Sequence, residues 1–445
     1  MNRLIKCLLF CLALSPVTLL AQNSLNTSLL FHWQDTTLVG STAYDNVYNE
    51  IWGVYQDGRE YAIIGSTDGT HIFDVSDVLN AQQVAYVPGA YQGTGVIHRD
   101  FHDYKGYLYI VCDEGPSTLQ IVDISTLPDS VSIVYDSDDL FTLAHNIFID
   151  TTSARMYTSN GTIYSLEDPE QPAFIYATGD LSSHDMYVRN DTAYVNWGGS
   201  GLNIIDFNNI EVGVPNSHEI IGQLDVYPFQ GYNHSGWLTE DGRFYVMADE
   251  NHGHHMKMLD VSDLNNITVV STFFSGEDSI QCVPHNQIIN DQYVYTAYYH
   301  DGLRVHDVSD PYNPSLIAFY DTFEPNHYNS LMGAWGVYPF LPSGNILVSD
   351  MQTGLYVFGI DYPKTNQIIE VTKLVYMYPN PTKDVFHMQF IREGLLKIFD
   401  LSGKLLKTKE VIGGEVLILS ELPRGLYIAQ LEFENEVYHQ KIVKQ

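Results

Sequence analysis

Five histidines recur along the sequence at intervals of about 40 to 50 residues, each near the start of a short apolar strand. They are His98, His145, His184, His234 and His285, and Trp52 and Trp335 take the matching places in the first and last repeats. Neutral imidazole is a common ligand of zinc, manganese and iron, and it can also act as a general acid or base. We therefore predict that these seven residues line a ligand site, provided that the fold brings them together.

Further polar residues follow the second strand of several repeats, including Trp197, Asp301 and the run Asp249-Glu250-Asn251-His252-Gly253-His254. Histidines two residues apart on a strand share a face, and a glycine between them lets the chain turn. Carboxylate and imidazole together can hold a divalent metal ion. Asp249, Glu250, His252 and His254 are accordingly predicted to be metal ligands, and a divalent metal ion is the cofactor that they would hold.

Two other interpretations of the histidines stay open. A residue repeated at one position can make a repeated structural bond, such as an imidazole N–H to a carbonyl of the neighbouring repeat. The same side chains could also form a catalytic centre. The sequence contains no HExxH, G-x-S-x-G, P-loop or dinucleotide-binding motif that would name a reaction.

A strand that ends in Asp and turn residues recurs seven times at a spacing of 41 to 54 residues. Its copies are 71–77, 120–126, 163–169, 203–209, 257–263, 304–310 and a degenerate 356–362. An Asp at a strand end can accept the backbone N–H two residues further on, so its first role is structural. Ser165 and Gly359 replace the Asp in the third and seventh copies.

Each copy belongs to a unit of four short strands, and repeated four-stranded units are typical of β-propellers. The last unit lacks an outer strand, but residues 28–36 near the N-terminus resemble the outer strand at 315–322. We therefore predict an all-β protein in which residues 22–362 form a seven-bladed β-propeller closed by an N-terminal strand. Closing the ring in this way removes two exposed sheet edges.

The two ends of the chain differ from this repeat region. Residues 1–21 have a basic start, an apolar stretch and a small residue at the end, which is typical of a secretory signal peptide. Residues 363–374 are predicted to be a linker, and residues 375–445 a small β-sandwich. No later run is long and apolar enough to predict a transmembrane segment.

Charge also separates the two parts. Residues 22–370 contain nine Lys and Arg against 45 Asp and Glu, whereas residues 371–445 contain ten against nine. Such an acidic repeat region repels nucleic acid and anionic membranes, so neither is an expected partner. It favours cations or cationic partners.

Motifs in the C-terminal part resemble the type A C-terminal sorting domain of the type IX secretion system. They are Tyr378-Pro379-Asn380-Pro381, Asp400-Leu401-Ser402-Gly403-Lys404, Gly425-Leu426-Tyr427 and Lys441-Ile442-Val443-Lys444. The resemblance implies that residues 375–445 engage the type IX secretion machinery. It also implies export, followed by release or attachment to the outer cell surface.

The repeat region resembles the choice-of-anchor B family, whose propellers are built from LVIVD-type repeats. The motifs are Asn233–Arg243, Pro284–Asn286, Asp301–Val305, Asp307–Pro311, Gly333–Phe340 and Leu119–Asp123. The resemblance implies an extracytoplasmic propeller and no particular reaction. We therefore predict a secreted or surface-displayed protein that binds an unknown extracellular ligand at its channel mouth. The alternatives are a metal-dependent hydrolase or lyase on the same face and a structural or adhesive surface protein.

Overall fold

The computed structural model describes most of the repeat region and of the C-terminal part. It covers residues 24–362 except 180–182, 213, 215–216, 278–279, 324–327 and 329, and residues 376–445 except 379–381, 384, 390–393, 402, 412–415 and 434–435. The predicted signal peptide and the predicted linker lie outside the described residues. The chain divides into two compact units, residues 1–362 and 363–445. No helix in the described ranges is long and apolar enough to span a membrane.

The N-terminal unit is built from antiparallel β-sheets. It begins with β1 (Ser24–Leu25) and β2 (Thr27–Trp33). Sheet 1 then contains β3 (Tyr48–Gln56), β4 (Arg59–Ser66), β5 (Gly69–Asp74) and β6 (Gln82–Pro88), with a short 3₁₀ helix at Val78–Asn80. Sheet 2 contains β7 (Arg99–Tyr104), β8 (Tyr107–Cys112), β9 (Leu119–Asp123) and β10 (Ser132–Ser137). Sheet 3 contains β11 (Ile147–Asp150), β12 (Arg155–Thr158), β13 (Thr162–Ser165) and β14 (Ala173–Ala177).

The next sheets repeat the same order of four strands. Sheet 4 contains β15 (Asp185–Arg189), β16 (Thr192–Asn196), β17 (Leu202–Asp206) and β18 (Glu219–Leu224). Sheet 5 contains β19 (Asn233–Leu238), β20 (Phe244–Asp249), β21 (Met256–Asp260) and β22 (Thr268–Phe273). Sheet 6 contains β23 (Gln287–Asn290), β24 (Tyr293–Tyr298), β25 (Gly302–Asp307) and β26 (Ser315–Tyr320), and sheet 7 contains β27 (Ala334–Tyr338), β28 (Ile346–Asp350) and β29 (Gly354–Ile360).

The N-terminal strands complete the last two sheets. β2 pairs antiparallel with β29, from Thr27 opposite Ile360 to Trp33 opposite Leu355, which confirms the predicted pairing of the two ends of this unit. β1 adds two residues to the edge of sheet 6 by pairing with β26. The Trp33 ring lies 4.7 Å from the ring of Phe73 in sheet 1, so β2 also packs against the first sheet.

Apolar cores lie between neighbouring sheets. Alternate residues of a strand face opposite sides, so each sheet packs against the sheet before it and the sheet after it. Sheets 1 and 2 share Ile63, Phe101 and Ile110, for example, and sheets 7 and 1 share Leu347 and Ile64. The first strands of successive sheets pack side by side, and β27 returns to β3, so these seven strands surround a central channel.

The Asp at the end of each third strand has the predicted structural role. Asp74, Asp123 and Asp307 each accept the backbone N–H two residues further on, at 3.0, 2.8 and 2.8 Å. In sheet 3 the Ser165 hydroxyl accepts the Glu167 N–H at 3.2 Å, so the serine replaces the carboxylate in the same turn. These turns fix where each third strand ends.

The C-terminal unit also consists of antiparallel strands. One sheet has the order β30 (Tyr376–Tyr378), β31 (Val385–Gln389) and β34 (Val416–Ile418). The other has the order β33 (Leu405–Val411), β32 (Gly394–Asp400), β35 (Gly425–Phe433) and β36 (Glu436–Lys444). Its core includes Leu396, Ile398, Leu431 and Ile442. The sandwich arrangement of the two sheets stays a prediction.

Candidate ligand site at the channel mouth

The first strands of sheets 2 to 7 bring six aromatic side chains together at one end of the channel. We call them the histidine circle: His98, His145, His184, His234, His285 and Trp335. Successive rings lie 4.5, 4.3, 4.1, 4.3 and 4.6 Å apart between centroids, and Trp335 lies 5.3 Å from His98. The repeat spacing in the sequence therefore becomes a closed circle of rings, to which sheets 2 to 7 contribute one residue each and sheet 1 contributes none.

Hydrogen bonds orient several of these imidazoles. Nδ1 of His98 lies 2.5 Å from Oε1 of Glu114. Nδ1 of His184 lies 3.3 Å from the carbonyl oxygen of His234, and Nδ1 of His285 lies 2.5 Å from that of Trp335. A carbonyl can only accept, so Nδ1 carries the proton in His184 and His285, and Nε2 keeps its lone pair.

Two carboxylates lie next to the circle, and with its histidines they form two groups of residues that could hold a metal ion. Oδ2 of Asp113 lies 2.8 Å from Nδ1 of His145, and Oε2 of Glu250 lies 3.9 Å from Nε2 of His234. The ligand atoms of His98, Asp113 and His145 all lie within 4.8 Å of one another, and so do those of His184, His234 and Glu250. Each group thus offers two imidazoles and one carboxylate.

Burial controls protonation at the mouth. Burial, helped by the neighbouring histidines, lowers the pKa of His184 to about 2 and that of His234 well below its usual range. Burial likewise lowers the pKa of His285 to about 3. Burial opposes the charged form of His145 too, but the Asp113 carboxylate raises the pKa of that imidazole overall. Burial raises the pKa of Glu250. Three imidazoles are therefore neutral at physiological pH.

The histidine circle opens into a cavity of about 430 Å³. The cavity is also lined by residues from the surrounding loops, namely Tyr44, Ser183, Tyr232, Tyr299, Leu331 and Met351. The Tyr299 hydroxyl donates to Oε1 of Glu250 at 2.6 Å, which holds that carboxylate at the cavity wall. A cavity of this size fits a small polar molecule with several hydrogen-bonding groups.

A second, smaller cavity of about 70 Å³ is lined by residues that follow those of the circle along the chain. We call it the inner chamber, and its polar lining consists of Glu50, Asp100, His102, Asn146, Asp185, Ser235, Asn286 and Gln287. Burial and the neighbouring Asp100 raise the pKa of Glu50 to about 8. Burial raises the pKa of Asp100 and of Asp185 to about 7.

Trp52 lies at the inner chamber and not in the histidine circle, in contrast to the prediction. Its Nε1 donates to Oδ1 of Asp103 at 2.8 Å, and its ring packs against His102 and Tyr338. The pairing of β3 with β4 shifts between Tyr48 and Ile51, as the pairings of β19 and β27 shift at His234 and Trp335. Asn49 takes the place next to this shift, and Trp52 lies three residues further along the strand.

Two other predicted site residues do not line the mouth cavity. Trp197 lies in the turn between β16 and β17, where its N–H donates to the carbonyl of Gly201 at 2.9 Å. Asp301 is buried and accepts the Tyr328 hydroxyl at 2.7 Å. Both follow the second strand of their sheets as predicted, but neither lines the cavity: Trp197 bonds within its turn through its backbone, and the Asp301 carboxylate bonds a loop residue.

The predicted metal cluster of Asp249, Glu250, His252 and His254 is not assembled. Asp249 is fully buried in an ion pair with Lys257 and accepts the Tyr227 hydroxyl at 2.8 Å. Nδ1 of His252 bonds the carbonyl of Gln281, and Nδ1 of His254 bonds that of Phe229, each at 2.9 Å. Only Glu250 of the four reaches the mouth, because neighbouring residues of a strand face opposite sides.

Tyr299 belongs to the mouth but was not among the predicted site residues. Asp113, Glu250, Tyr299 and Met351 are each the first residue after the second strand of their sheets, and all four line the cavity. The position that they share, directly after the second strand of each repeat, could have been recognised in the sequence. Aligning the ends of the second strands, instead of choosing polar residues in each turn, would have selected them.

Solved structures with the same architecture identify the class of the N-terminal unit. The structure of U3-55K is 9% identical with a TM-score of 0.51, and covers 75% of this chain and 98% of its own. The RRP9 WD40 repeats are 11% identical with a TM-score of 0.51, and cover 75% and 97% respectively. At such low identity the likeness concerns the fold alone, and that fold is a β-propeller.

The C-terminal unit is identified by its sequence family. Residues 376–445 match the secretion system C-terminal sorting domain. The protein is therefore exported through the type IX secretion machinery and is either released or attached to the cell surface. No protein of curated function matches the sequence.

Proposed function

We propose that the protein is an extracellular seven-bladed β-propeller whose channel mouth binds divalent transition-metal ions and, through them, a polar ligand. Each of the seven sheets would be one blade, and β2 would supply the outer strand of the last one. The family resemblance noted in the sequence, to choice-of-anchor B propellers with LVIVD-type repeats, agrees with such an extracytoplasmic role and names no substrate.

The observation that carries this proposal is the pair of three-residue groups facing one cavity. His98, Asp113 and His145 form one group, and His184, His234 and Glu250 form the other. Two imidazoles and a carboxylate suit zinc, manganese or iron better than calcium or magnesium, which prefer oxygen ligands. The Glu114 carboxylate and the His234 carbonyl hold Nδ1 of His98 and His184, which is how ligand histidines are usually oriented.

An ion in either group would keep open positions toward the cavity. Three protein ligands leave at least one position of a tetrahedral ion for water or for a ligand atom. A carboxylate, phosphate or hydroxyl group entering the 430 Å³ cavity could bind there and also bond Tyr232 or Ser183. The bound ligand is thus expected to be small, polar and rich in oxygen.

The same open positions favour a second candidate function, that of a metal-dependent hydrolase. An ion with three protein ligands can lower the pKa of a bound water and so generate a nucleophile. Hydrolysis of phosphoesters or lactones that stops on chelation and returns with the metal would support this function over simple binding. The absence of turnover in a metal-loaded protein would leave the binding function as proposed.

Metal binding to the full mature chain tests the proposal. We expect purified protein incubated with Zn²⁺ or Mn²⁺ and then desalted to keep about one ion per three-residue group. His184→Ala should remove the ion of one group, and His145→Ala the ion of the other. Elemental analysis gives the metal content, and calorimetric titration gives the affinity.

His285→Ala is the matched control. His184 and His285 each donate Nδ1–H to a carbonyl of the next sheet, but only His184 belongs to a three-residue group. Both variants should lose about 1–3 kcal/mol of unfolding free energy, because each leaves a buried carbonyl without its donor. Only His184→Ala should lose metal. Equal metal loss in both variants, or no metal in the wild type, would refute the proposed function.

A further inference from the structure

The inner chamber is surrounded by oxygen-bearing side chains from six of the seven first strands. They are Glu50, Asp100, Asn146, Asp185, Ser235 and Asn286, each one or two residues beyond the place of the histidine circle. In sheet 7 the corresponding residue is Gly336, where a Cβ atom would lie only 1.8 Å from Oε1 of Glu50. The glycine therefore leaves the space that the Glu50 carboxylate occupies.

The chamber concentrates acidic groups, and the one basic side chain in its described lining is His102, whose pKa burial lowers. Its described lining includes three carboxyl groups and no Lys or Arg. Backbone N–H groups fix these carboxyls: Ile51 donates to Glu50 at 3.0 Å, Ile147 to Asp100 at 2.8 Å and Met186 to Asp185 at 2.6 Å. Neutral donors hold the carboxyls in place, but they would not balance the negative charges of the three ionised groups.

Buried polar atoms without partners provide a second, independent observation. Gln287 is 2% exposed and accepts the Ser235 hydroxyl through Oε1, but its Nε2 has no hydrogen-bond partner among the described residues. Oδ1 of Asn146 and Oδ1 of Asn286 are likewise buried and unpaired within the described part of the chain. Buried polar groups are normally bonded, so three such atoms around one small cavity point to a missing ligand.

We propose that the inner chamber binds a hard divalent cation of the calcium class. The carboxylates of Glu50, Asp100 and Asp185 and the amide oxygens of Asn146 and Asn286 would be its ligands. Calcium takes six to eight oxygen ligands and accepts waters among them. A water on the ion would accept a hydrogen bond from Nε2 of Gln287 and complete the bonding of that amide.

The ligand type and the volume of the chamber suit calcium. The chamber carboxyls do not form a group with all ligand atoms within 4.8 Å, so an ion there would have to draw them together or bind some of them through water. Calcium–oxygen bonds of about 2.3–2.6 Å reach further than the roughly 2.0–2.1 Å bonds of magnesium or zinc. A volume of about 70 Å³ is enough for one ion and a few waters. This site shares no residue with the mouth groups, so it does not depend on the function proposed for them.

Terbium luminescence and calcium titration of the full mature chain test this site. Tb³⁺ replaces Ca²⁺ at oxygen sites, and Trp52 and Trp237 line the chamber and can sensitise its emission. We expect tryptophan-sensitised Tb³⁺ emission that Ca²⁺ displaces, and a melting temperature that rises with Ca²⁺. Glu50→Gln and Asp185→Asn should each weaken binding by about tenfold or more, because each removes one ligand charge.

Glu60→Gln is the control for loss of a buried carboxylate. Glu60 is 6% exposed, accepts the Ser343 N–H at 2.6 Å and lies outside the chamber lining. It should leave the calcium affinity unchanged. If Asp185→Asn does not fold, Glu50→Gln and the calcium dependence of the wild-type melting temperature decide the question. No calcium response in the wild type, or equal weakening by Glu60→Gln, would overturn the proposal.

Discussion

A histidine of the circle can stabilise the fold with one ring nitrogen and bind a ligand with the other. His184 and His285 each donate Nδ1–H to a carbonyl of the next sheet, at 3.3 and 2.5 Å. This is the repeated structural bond that the sequence left open as an alternative to ligand binding. Because it uses Nδ1, Nε2 keeps its lone pair, and the structural and ligand-binding hypotheses do not exclude each other.

Asp249 should be a structural residue, although its sequence neighbours suggested a metal ligand. The Asp249–Lys257 pair is completely buried, so Asp249→Asn leaves the Lys257 ammonium without a counter-charge. We expect the unfolding free energy to fall by about 3–5 kcal/mol, as for other broken buried ion pairs. Urea denaturation measures this change, and elemental analysis should find the metal content of the mouth unaltered.

Arg243→Gln gives the comparison with an exposed pair. Arg243 and Asp260 lie 3.1 Å apart in the same sheet, but the Arg243 side chain is 48% exposed. Removing this charge should cost less than about 1 kcal/mol. If Asp249→Asn instead lost metal while keeping wild-type stability, Asp249 would have to be a ligand after all.

The repeat pattern predicted which residues could meet, but not the face of each side chain. The five histidines were found because sheets 2 to 6 each place one at or just before the start of the first strand. Trp52 was misplaced because it lies three residues beyond Asn49, which takes the corresponding place in β3. Asp249 and Glu250 are neighbours in sequence, and only their contacts with Lys257 and Tyr299 show which one reaches the cavity.

At the scale of elements, β2 matters because it is the outer strand of sheet 7. A chain that begins after residue 36 would lose β1 and β2, exposing the edge of β29 and the Phe73 surface that Trp33 covers. Exposed edges also invite association between chains. We expect a loss of unfolding free energy greater than the roughly 0.5–3 kcal/mol of a typical point mutation, measured by urea denaturation.

A chain that begins at residue 26 tests whether the effect belongs to β2. It lacks only β1, which pairs two residues with β26. Its stability should stay within about 0.5 kcal/mol of that of the wild type, as for most surface changes. A wild-type melting temperature in the longer deletion would mean that β2 does not close the N-terminal unit.

Elements with strong local signals were predictable, and those without were not. The third strand of each of sheets 1 to 6 ends in an Asp or Ser turn, and the hydrogen bonds of Asp74, Asp123 and Asp307 show why that signal is reliable. The similarity between residues 28–36 and 315–322 likewise located an outer strand far from its partner in sequence. The inner chamber had no such signal, because Glu50, Asn146 and Ser235 are different residue types that share only a position.

At the scale of the whole molecule, the acidity of the protein and the side chains of its channel both favour cation binding. The protein has a formal net charge of −33, and residues 22–370 contain 45 Asp and Glu. A field of this sign concentrates cations near the surface. Four histidines with two carboxylates at the mouth and three carboxyls in the chamber then offer two kinds of cation site along one channel. Nitrogen ligands would select transition metals at the mouth, and oxygen ligands would select calcium inside.

The C-terminal unit should be necessary for export and unnecessary for the chemistry of the channel. Residues 376–445 match a secretion sorting domain, and this part of the chain forms a compact unit with its own apolar core. Deleting 376–445 should therefore keep the protein inside the outer membrane, whereas the full chain reaches the surface or the medium. Cell fractionation with immunoblotting measures the location.

The purified shortened protein should retain the melting temperature and metal content of the wild type, because the seven sheets and both metal-ligand groups lie within residues 1–362. His184→Ala is the control, since it should alter metal content without preventing export. Normal export of the shortened chain would show that the sorting signal lies elsewhere, and loss of metal together with the deletion would show that the channel depends on the C-terminal unit.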